Sequence, residues 1–130
     1  MAFSSGAVGG LVNSIVVWLF GILGITALLG VALAPNWTPA WLYPRIVWGG
    51  LFGLLVPFAV NPRNNPLLSG LLLSLAPTLV QLFIVFPAKT PHGVLGLGLG
   101  ALTPLFVLLF NAVWGLITVA LYRLLTNSSR

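Results

Sequence analysis

Residues 67–86 read LLSGLLLSLAPTLVQLFIVF and contain no charged side chain. A helix needs about 20 predominantly apolar residues to cross the hydrocarbon core of a bilayer, and this stretch has that length. Three further stretches are also predominantly apolar, two of them with one arginine near an end. We therefore predict transmembrane helices over residues 6–33, 44–60, 67–86 and 94–124, the second being near the lower limit of length. The sequence predicts an all-α integral membrane bundle of four transmembrane helices, forming a single transmembrane domain over residues 1–130.

The composition of the whole chain agrees with a place in the membrane. Of 130 residues, 59% are hydrophobic and 4% are charged, and Asp, Glu and Cys are absent, whereas a soluble domain has about 25% charged residues. The mean hydropathy is +1.15. We expect the first span to be retained rather than cleaved as a signal peptide. No basic residue precedes it, and its apolar run exceeds the roughly 7–15 residues of a signal-peptide core.

Proline-rich connections separate the spans at residues 34–39, 61–66 and 87–93. Such short loops make neighbouring helices antiparallel, and Pro44 is expected in the first turn of the second helix. Basic and aromatic side chains collect at the edges of the spans, as in the belts that contact lipid headgroups. A stacking platform for a ligand is the alternative interpretation of the aromatic group. Interfacial contacts with lipid or a partner are predicted for Trp37, Trp41, Tyr43, Arg45, Trp48, Arg63, Lys89, His92 and Arg123.

The distribution of positive charge predicts an orientation. With four spans, Arg63, Arg123 and Arg130 fall on one side of the membrane. Arg45 and Lys89 fall on the other side. Because cytoplasmic loops carry the excess of Lys and Arg, both termini are predicted in the cytoplasm, by a margin of one charge. The predicted location is a bacterial inner membrane or a thylakoid-type membrane.

Small and polar residues recur at helical spacing inside the spans, as in the stripe Gly70, Ser74, Thr78 and Gln81. Small residues and interhelical hydrogen bonds hold membrane helices together. Because an unpaired amide in hydrocarbon is costly, amide side chains should point inward or toward another subunit. The residues predicted to serve helix packing and intramembrane polar contacts are Asn13, Ser14, Gly49, Gly53, Gly70, Ser74, Thr78, Gln81, Asn111, Gly115 and Thr118.

The same polar residues allow a second interpretation, a pathway for water, an ion or a small neutral solute. Pro57, Pro77 and Pro104 bear on both interpretations, because a proline inside a helix frees a carbonyl group of the preceding turn. Freed carbonyl groups can coordinate cations along a cavity. Neighbouring Ser or Thr hydroxyls can equally satisfy them, and Thr78 and Thr103 each adjoin one of these prolines.

Groups suited to catalysis or metal binding are scarce. General acid–base catalysis draws mostly on His, Glu and Asp, and His92 is the only such residue in the chain. A metal site needs three or four ligands, and nucleic-acid binding needs clustered basic residues, which this chain lacks. We therefore expect no catalysis, no cofactor and no nucleic-acid partner. Bound lipids are expected, and contact with a pigment stays open, although no span offers a histidine as an axial ligand.

Three segments carry a likeness to a known group of proteins. Residues 70–81 (GLLLSLAPTLVQ), then 86–87 (FP), then 111–115 (NAVWG) resemble small bacterial YagU-type membrane proteins, and residues 45–60 are similar to the preceding helix of that group. The chain departs from the group by lacking acidic residues and the histidines that the group places in its helices. The resemblance implies a small polytopic inner-membrane protein and supplies no biochemical activity.

These observations favour a protein that works through its surfaces. It has few reactive groups, and the predicted loops leave little chain outside the bilayer. We predict an accessory, structural or assembly subunit of a larger membrane complex or homo-oligomer, in contact with membrane lipids and with other integral membrane subunits or copies of itself. The alternative is a small channel or facilitator for an ion or a neutral solute.

Overall fold

The computed structural model describes residues 2–31, 35, 37–60, 65–85, 97 and 100–128. Within these residues the protein is helical and has no strand, which confirms the all-α prediction. The helices are α1 (Ala2–Ile22), α2 (Ile25–Leu28), α3 (Pro39–Gly53), α4 (Val56–Ala59), α5 (Pro66–Val80) and α6 (Thr103–Ser128), and α5 continues as a π-helical segment over Gln81–Val85.

Three segments are long and apolar enough to cross a membrane: Ala2–Ile22, Leu67–Ile84 and Thr103–Thr126. They are consistent with a membrane protein. The second predicted span differs, because α3 has 15 residues and a transmembrane helix needs at least about 17. A turn at Leu54 and Leu55 separates α3 from α4, so residues 44–60 do not form one continuous helix.

The ends of the helices follow local signals that hydropathy does not detect. α1 ends at Ile22, well before residue 33, and Gly24 follows with a φ of 75°, the left-handed conformation common after a helix end. The last helix begins at Thr103 instead of residue 94, since Leu97, Ala101 and Leu102 lie in turns.

The prediction that Pro44 opens the second helix is wrong. The helix begins five residues earlier, where Thr38 is the N-cap and Pro39 takes the first position. The Thr38 hydroxyl accepts a hydrogen bond from the backbone N–H of Trp41 at 3.2 Å, which satisfies one of the N–H groups left open at a helix start. Pro44 therefore lies inside α3.

Two of the three prolines of the predicted spans lie at helix starts and not inside helices. Pro57 lies in the first turn of α4, and Pro104 is the second residue of α6. A proline there removes no hydrogen bond, because the first N–H groups of a helix have no intrahelical acceptor. Pro77 lies inside α5. The hydroxyl of Thr103 has no hydrogen-bond partner among the described residues, so it does not satisfy a freed carbonyl group there.

The four long helices form a row in the order α3, α1, α6, α5. α1 packs against α3 and α6, and α5 packs against α6. The two ends of the row meet at α4, which contacts α5, whereas the described residues of α3 and α5 share no extensive contact. A gap therefore separates the described residues of α3 from those of α5.

Glycine allows the backbones of neighbouring helices to touch. At the α1–α3 crossing, a Cβ atom on Gly6 would lie 2.2 Å from the carbonyl oxygen of Gly49 and 2.7 Å from the Cα atom of Gly53. At the α5–α6 crossing, a Cβ atom on Gly115 would lie 2.2 Å from the carbonyl oxygen of Gly70. Such close approach increases dispersion contact, the main attraction between helices in lipid.

Candidate functional site: the α3–α5 cleft

A cavity of about 280 Å³ lies in the gap between α3 and α5; we call it the α3–α5 cleft. All four long helices contribute to its lining. Its polar lining residues are Asn13, Arg45, Gln81 and Asn111, and its apolar ones include Pro44, Trp48, Phe52, Pro77, Val80 and Trp114. A mostly apolar pocket with a few convergent polar groups is typical of sites that bind small molecules.

Arg45 is the charged residue of the cleft. Its Nε donates a hydrogen bond to the hydroxyl of Ser14 at 2.8 Å, and its Nη2 donates to Oδ1 of Asn13 at 2.5 Å. The guanidinium carbon lies 4.9 Å from the ring centroid of Trp41, within the range of a cation–π interaction. Arg45 thus contacts α1 through hydrogen bonds to Asn13 and Ser14.

Asn13 connects three helices. While its Oδ1 accepts from Arg45 in α3, its Nδ2 donates to the backbone carbonyl of Phe110 in α6 at 2.5 Å. The side chain is 5% exposed, so these bonds offset the cost of placing an amide among apolar groups. Ser14 completes the group by donating to the carbonyl of Gly10 at 2.7 Å.

Asn111 of α6 lines the cleft and connects α6 to α5. Its Nδ2 donates to the hydroxyl of Thr78 in α5 at 3.1 Å. The Thr78 hydroxyl in turn donates to the carbonyl of Ser74 at 2.7 Å, and the Ser74 hydroxyl donates to the carbonyl of Leu71 at 2.7 Å. The polar stripe of α5 therefore faces α6 at Asn111.

Gln81 differs from the other amides of the cleft. It lines the cavity from α5, and its side chain has no hydrogen-bond partner among the described residues. It is also the first residue of the π-helical segment Gln81–Val85. Such segments are rare and often lie at functional sites. The structure does not pair Gln81 with Asn13, whose polar atoms are bonded to Arg45 and Phe110.

Trp114 of α6 also lines the cleft, and its role was not predicted from the sequence. Trp114 is 3% exposed, and its Nε1 donates to the carbonyl of Gly6 at 3.0 Å. The Thr118 hydroxyl donates back to the carbonyl of Trp114 at 2.7 Å. The available signal was the position of a tryptophan near the centre of a span, away from the membrane interface that this residue usually occupies.

The aromatic residues before and at the start of α3 form a chain of ring contacts. Trp37 lies between Trp18 and Trp41, with centroid distances of 5.5 and 5.9 Å. Tyr43 and Trp48 are exposed. Arg123 lies in α6, away from the cleft residues, and is partly exposed. Three predicted interfacial residues lie outside the described part of the chain: Arg63, Lys89 and His92.

In chemical terms the cleft offers hydrogen-bond donors and one fixed positive charge. The described residues contain no group of three His, Cys, Asp or Glu side chains that could hold a metal ion. No family model matches the chain, and no curated protein or solved structure is significantly similar to it. The function is therefore inferred from the geometry of the cleft and of the helix row.

Proposed function

We propose that the protein crosses the membrane four times and acts, without catalysis of its own, as an accessory or assembly subunit of a larger membrane complex or homo-oligomer. The observation that supports this proposal is the open helix row. In a closed four-helix bundle each helix packs against two neighbours. Among the described residues α3 packs extensively against α1 alone, and α5 packs mainly against α6. A partner helix on the outer surface of α3 or of α5 would give that helix a second neighbour.

The outer surfaces of the two end helices suit such contacts. On α3, Tyr43 is 63% exposed and Val47 is 50% exposed, and Leu75 of α5 is 44% exposed. Trp and Tyr are enriched at protein interfaces. Lipid can cover these surfaces too, so the experiment must distinguish a protein neighbour from lipid.

For the fourth span we propose that α3 and α4 cross the membrane together. Residues 39–59 would extend about 30 Å at a rise of about 1.5 Å per residue, which equals the thickness of the hydrocarbon core. Both termini then lie on the same side of the membrane. The positive-inside rule favours the cytoplasmic side, in a bacterial inner membrane or a thylakoid-type membrane.

Because the chain has no cysteine, a single introduced cysteine can be crosslinked without background. We would place it at Val47 on α3 or Leu75 on α5. As a matched control we would place it at Ile15, which is 38% exposed on the central helix α1. In native membranes, thiol crosslinking should capture a protein neighbour or a second copy from Val47 and Leu75 more efficiently than from Ile15. Equal and low capture at all three positions, with a monomeric mass after mild extraction, would contradict the subunit proposal.

The polar cleft favours one second candidate, a facilitator for a neutral solute or an anion. Positively charged linings are typical of anion pores, and hydrogen-bonding groups can replace the water of a solute. Purified protein in liposomes should then increase solute flux, and Gln81→Leu should alter that flux. Flux equal to that of empty vesicles would remove this candidate and would leave the subunit proposal intact.

A further inference from the structure

We infer that the α3–α5 cleft binds the anionic head of an amphiphile, that is, a carboxylate or phosphate group carried on an acyl chain. The ligand oxygens would accept hydrogen bonds from Arg45 on one wall of the cleft and from the Gln81 amide on the other. This inference concerns the inside of the cleft and does not depend on whether the end helices bind another subunit.

The first support is that Arg45 has more N–H donors than hydrogen bonds. A guanidinium group has five N–H donors, of which two bond to Ser14 and Asn13. Three N–H groups therefore remain without a partner among the described residues. The two existing bonds and the ring of Trp41 hold the guanidinium in place. A fixed arginine with free N–H groups suits the paired oxygens of a carboxylate or phosphate.

The second support is charge balance. The chain contains no Asp or Glu, so no acidic side chain of this protein can neutralise Arg45, and neither can one from a second copy. A charge within a membrane-spanning region is costly and normally faces a partner group. Asn13 and Ser14 supply dipoles and no negative charge. An anionic group on another molecule would supply the counter-charge.

The third support is Gln81, which faces the same cavity without a hydrogen-bond partner among the described residues. An amide group left unpaired in apolar surroundings destabilises a protein. Its NH₂ group can donate to the same oxyanion that Arg45 binds. Two donors on opposite walls, one charged and one neutral, define where the head of the ligand would lie.

The size and lining of the cleft limit what the rest of the ligand can be. A volume of about 280 Å³ is just below the range of about 300–1,000 Å³ typical of drug-sized ligands. A helix, with a diameter of about 10–12 Å, is too thick for it. The apolar walls at Trp48, Phe52 and Val80 suit methylene groups. Pro44 and Trp48 line the cavity and are also exposed, so an acyl chain can continue from the cleft along these residues.

The test uses the full chain in a neutral detergent or in phosphatidylcholine nanodiscs. Four probes would be titrated and followed by native mass spectrometry and tryptophan fluorescence: a long-chain fatty acid, phosphatidylglycerol, the matching fatty alcohol, and inorganic phosphate. We expect saturable binding of the fatty acid, of phosphatidylglycerol or of both, which distinguishes the two sources of the oxyanion. Binding of the alcohol as tight as that of the acid would overturn the inference. Arg45-dependent binding of inorganic phosphate as tight as that of the amphiphiles would also overturn it, because the acyl chain would then contribute nothing.

Two variants and one control locate the site. Arg45→Gln should weaken binding of the anionic amphiphile at least about tenfold, the effect of losing one charge-assisted hydrogen bond. Arg123→Gln removes the same charge away from the cleft and should bind like the wild-type protein. If Arg45→Gln does not fold, Gln81→Leu replaces it, since Gln81 has no protein hydrogen bond to lose, and it should weaken binding severalfold. The inference would be refuted if Gln81→Leu, and Arg45→Gln where it folds, bound the amphiphile as tightly as the wild-type protein. It would also be refuted if Arg123→Gln lost as much affinity as the cleft variants.

Discussion

Replacement of Gly6 tests whether the α1–α3 contact is a direct contact between two backbones. A Cβ atom at this position would lie 2.2 Å from the carbonyl oxygen of Gly49. This falls short of the ordinary contact distance of 3.4 Å by about 1.2 Å. The neighbouring atom belongs to the backbone of α3 and cannot rotate away, so the two helices would have to separate or shift.

The expected loss of stability follows from three effects. Overpacking of a close contact costs about 1–3 kcal/mol. Moving α1 also disturbs the hydrogen bond from Trp114 to the Gly6 carbonyl, which contributes about 1 kcal/mol. Replacing glycine within a helix returns about 1 kcal/mol when the new residue is alanine. We therefore expect a net loss of about 1–3 kcal/mol for Gly6→Ala and about 2–4 kcal/mol for Gly6→Val.

Unfolding by sodium dodecyl sulfate in mixed micelles, followed by circular dichroism and tryptophan fluorescence, would measure these losses. Val8→Leu is the matched control, because Val8 is on the same helix and is 42% exposed. It adds one methylene group without reaching α3 and should change stability by less than about 0.5 kcal/mol. A Gly6→Val protein as stable as the wild type, or a control that loses as much, would refute the backbone contact.

Four further substitutions test the polar contacts in the same assay. Asn13→Leu removes the bonds to Arg45 and to Phe110 and should cost about 2–3 kcal/mol, whereas Asn111→Leu removes the one described bond to Thr78 and should cost about 0.6–1 kcal/mol. Equal losses would contradict the central place of Asn13. Trp114→Phe keeps an aromatic ring and loses the bond to Gly6, so it should cost about 1 kcal/mol. Ser69→Ala removes a buried hydroxyl that has no partner among the described residues and should leave stability unchanged or higher; a clear loss would show that this hydroxyl is bonded.

The sequence predicts the all-α class and the types of residue that pack between helices better than it predicts where each helix begins and ends. A lack of charge over a long stretch reveals that a segment can enter the membrane. It does not reveal that Gly24 takes a left-handed conformation or that α3 starts at Pro39. The signal for α3 was present as a threonine followed by a proline, a common helix start. It lies outside the apolar run that hydropathy selects.

The candidate site was less predictable, because its residues come from helices far apart in the sequence. Helical spacing places Ser74, Thr78 and Gln81 on one stripe, but it cannot tell which neighbour each of them meets. The structure gives Thr78 a partner in α6 and leaves Gln81 facing the cleft. Arg45 was expected at an interfacial edge because charge is costly in the hydrocarbon. The sequence could not show that its hydrogen-bond acceptor is the amide of Asn13, 32 residues away.

The packing of the helix row and the chemistry of the cleft depend partly on the same residues. Asn13 joins α1 to α3 through Arg45 and to α6 through the Phe110 carbonyl. Its hydrogen bonds therefore hold these helices together and also fix the position of the guanidinium group. A substitution at Asn13 or Arg45 therefore changes stability together with any ligand affinity. Gln81 lies in the cleft without a protein hydrogen bond, so its replacement by leucine separates the two effects. Removing an unpaired amide should preserve or raise stability, while a ligand that uses this amide binds more weakly. A loss of stability in Gln81→Leu without any change in ligand binding would show instead that Gln81 serves packing alone.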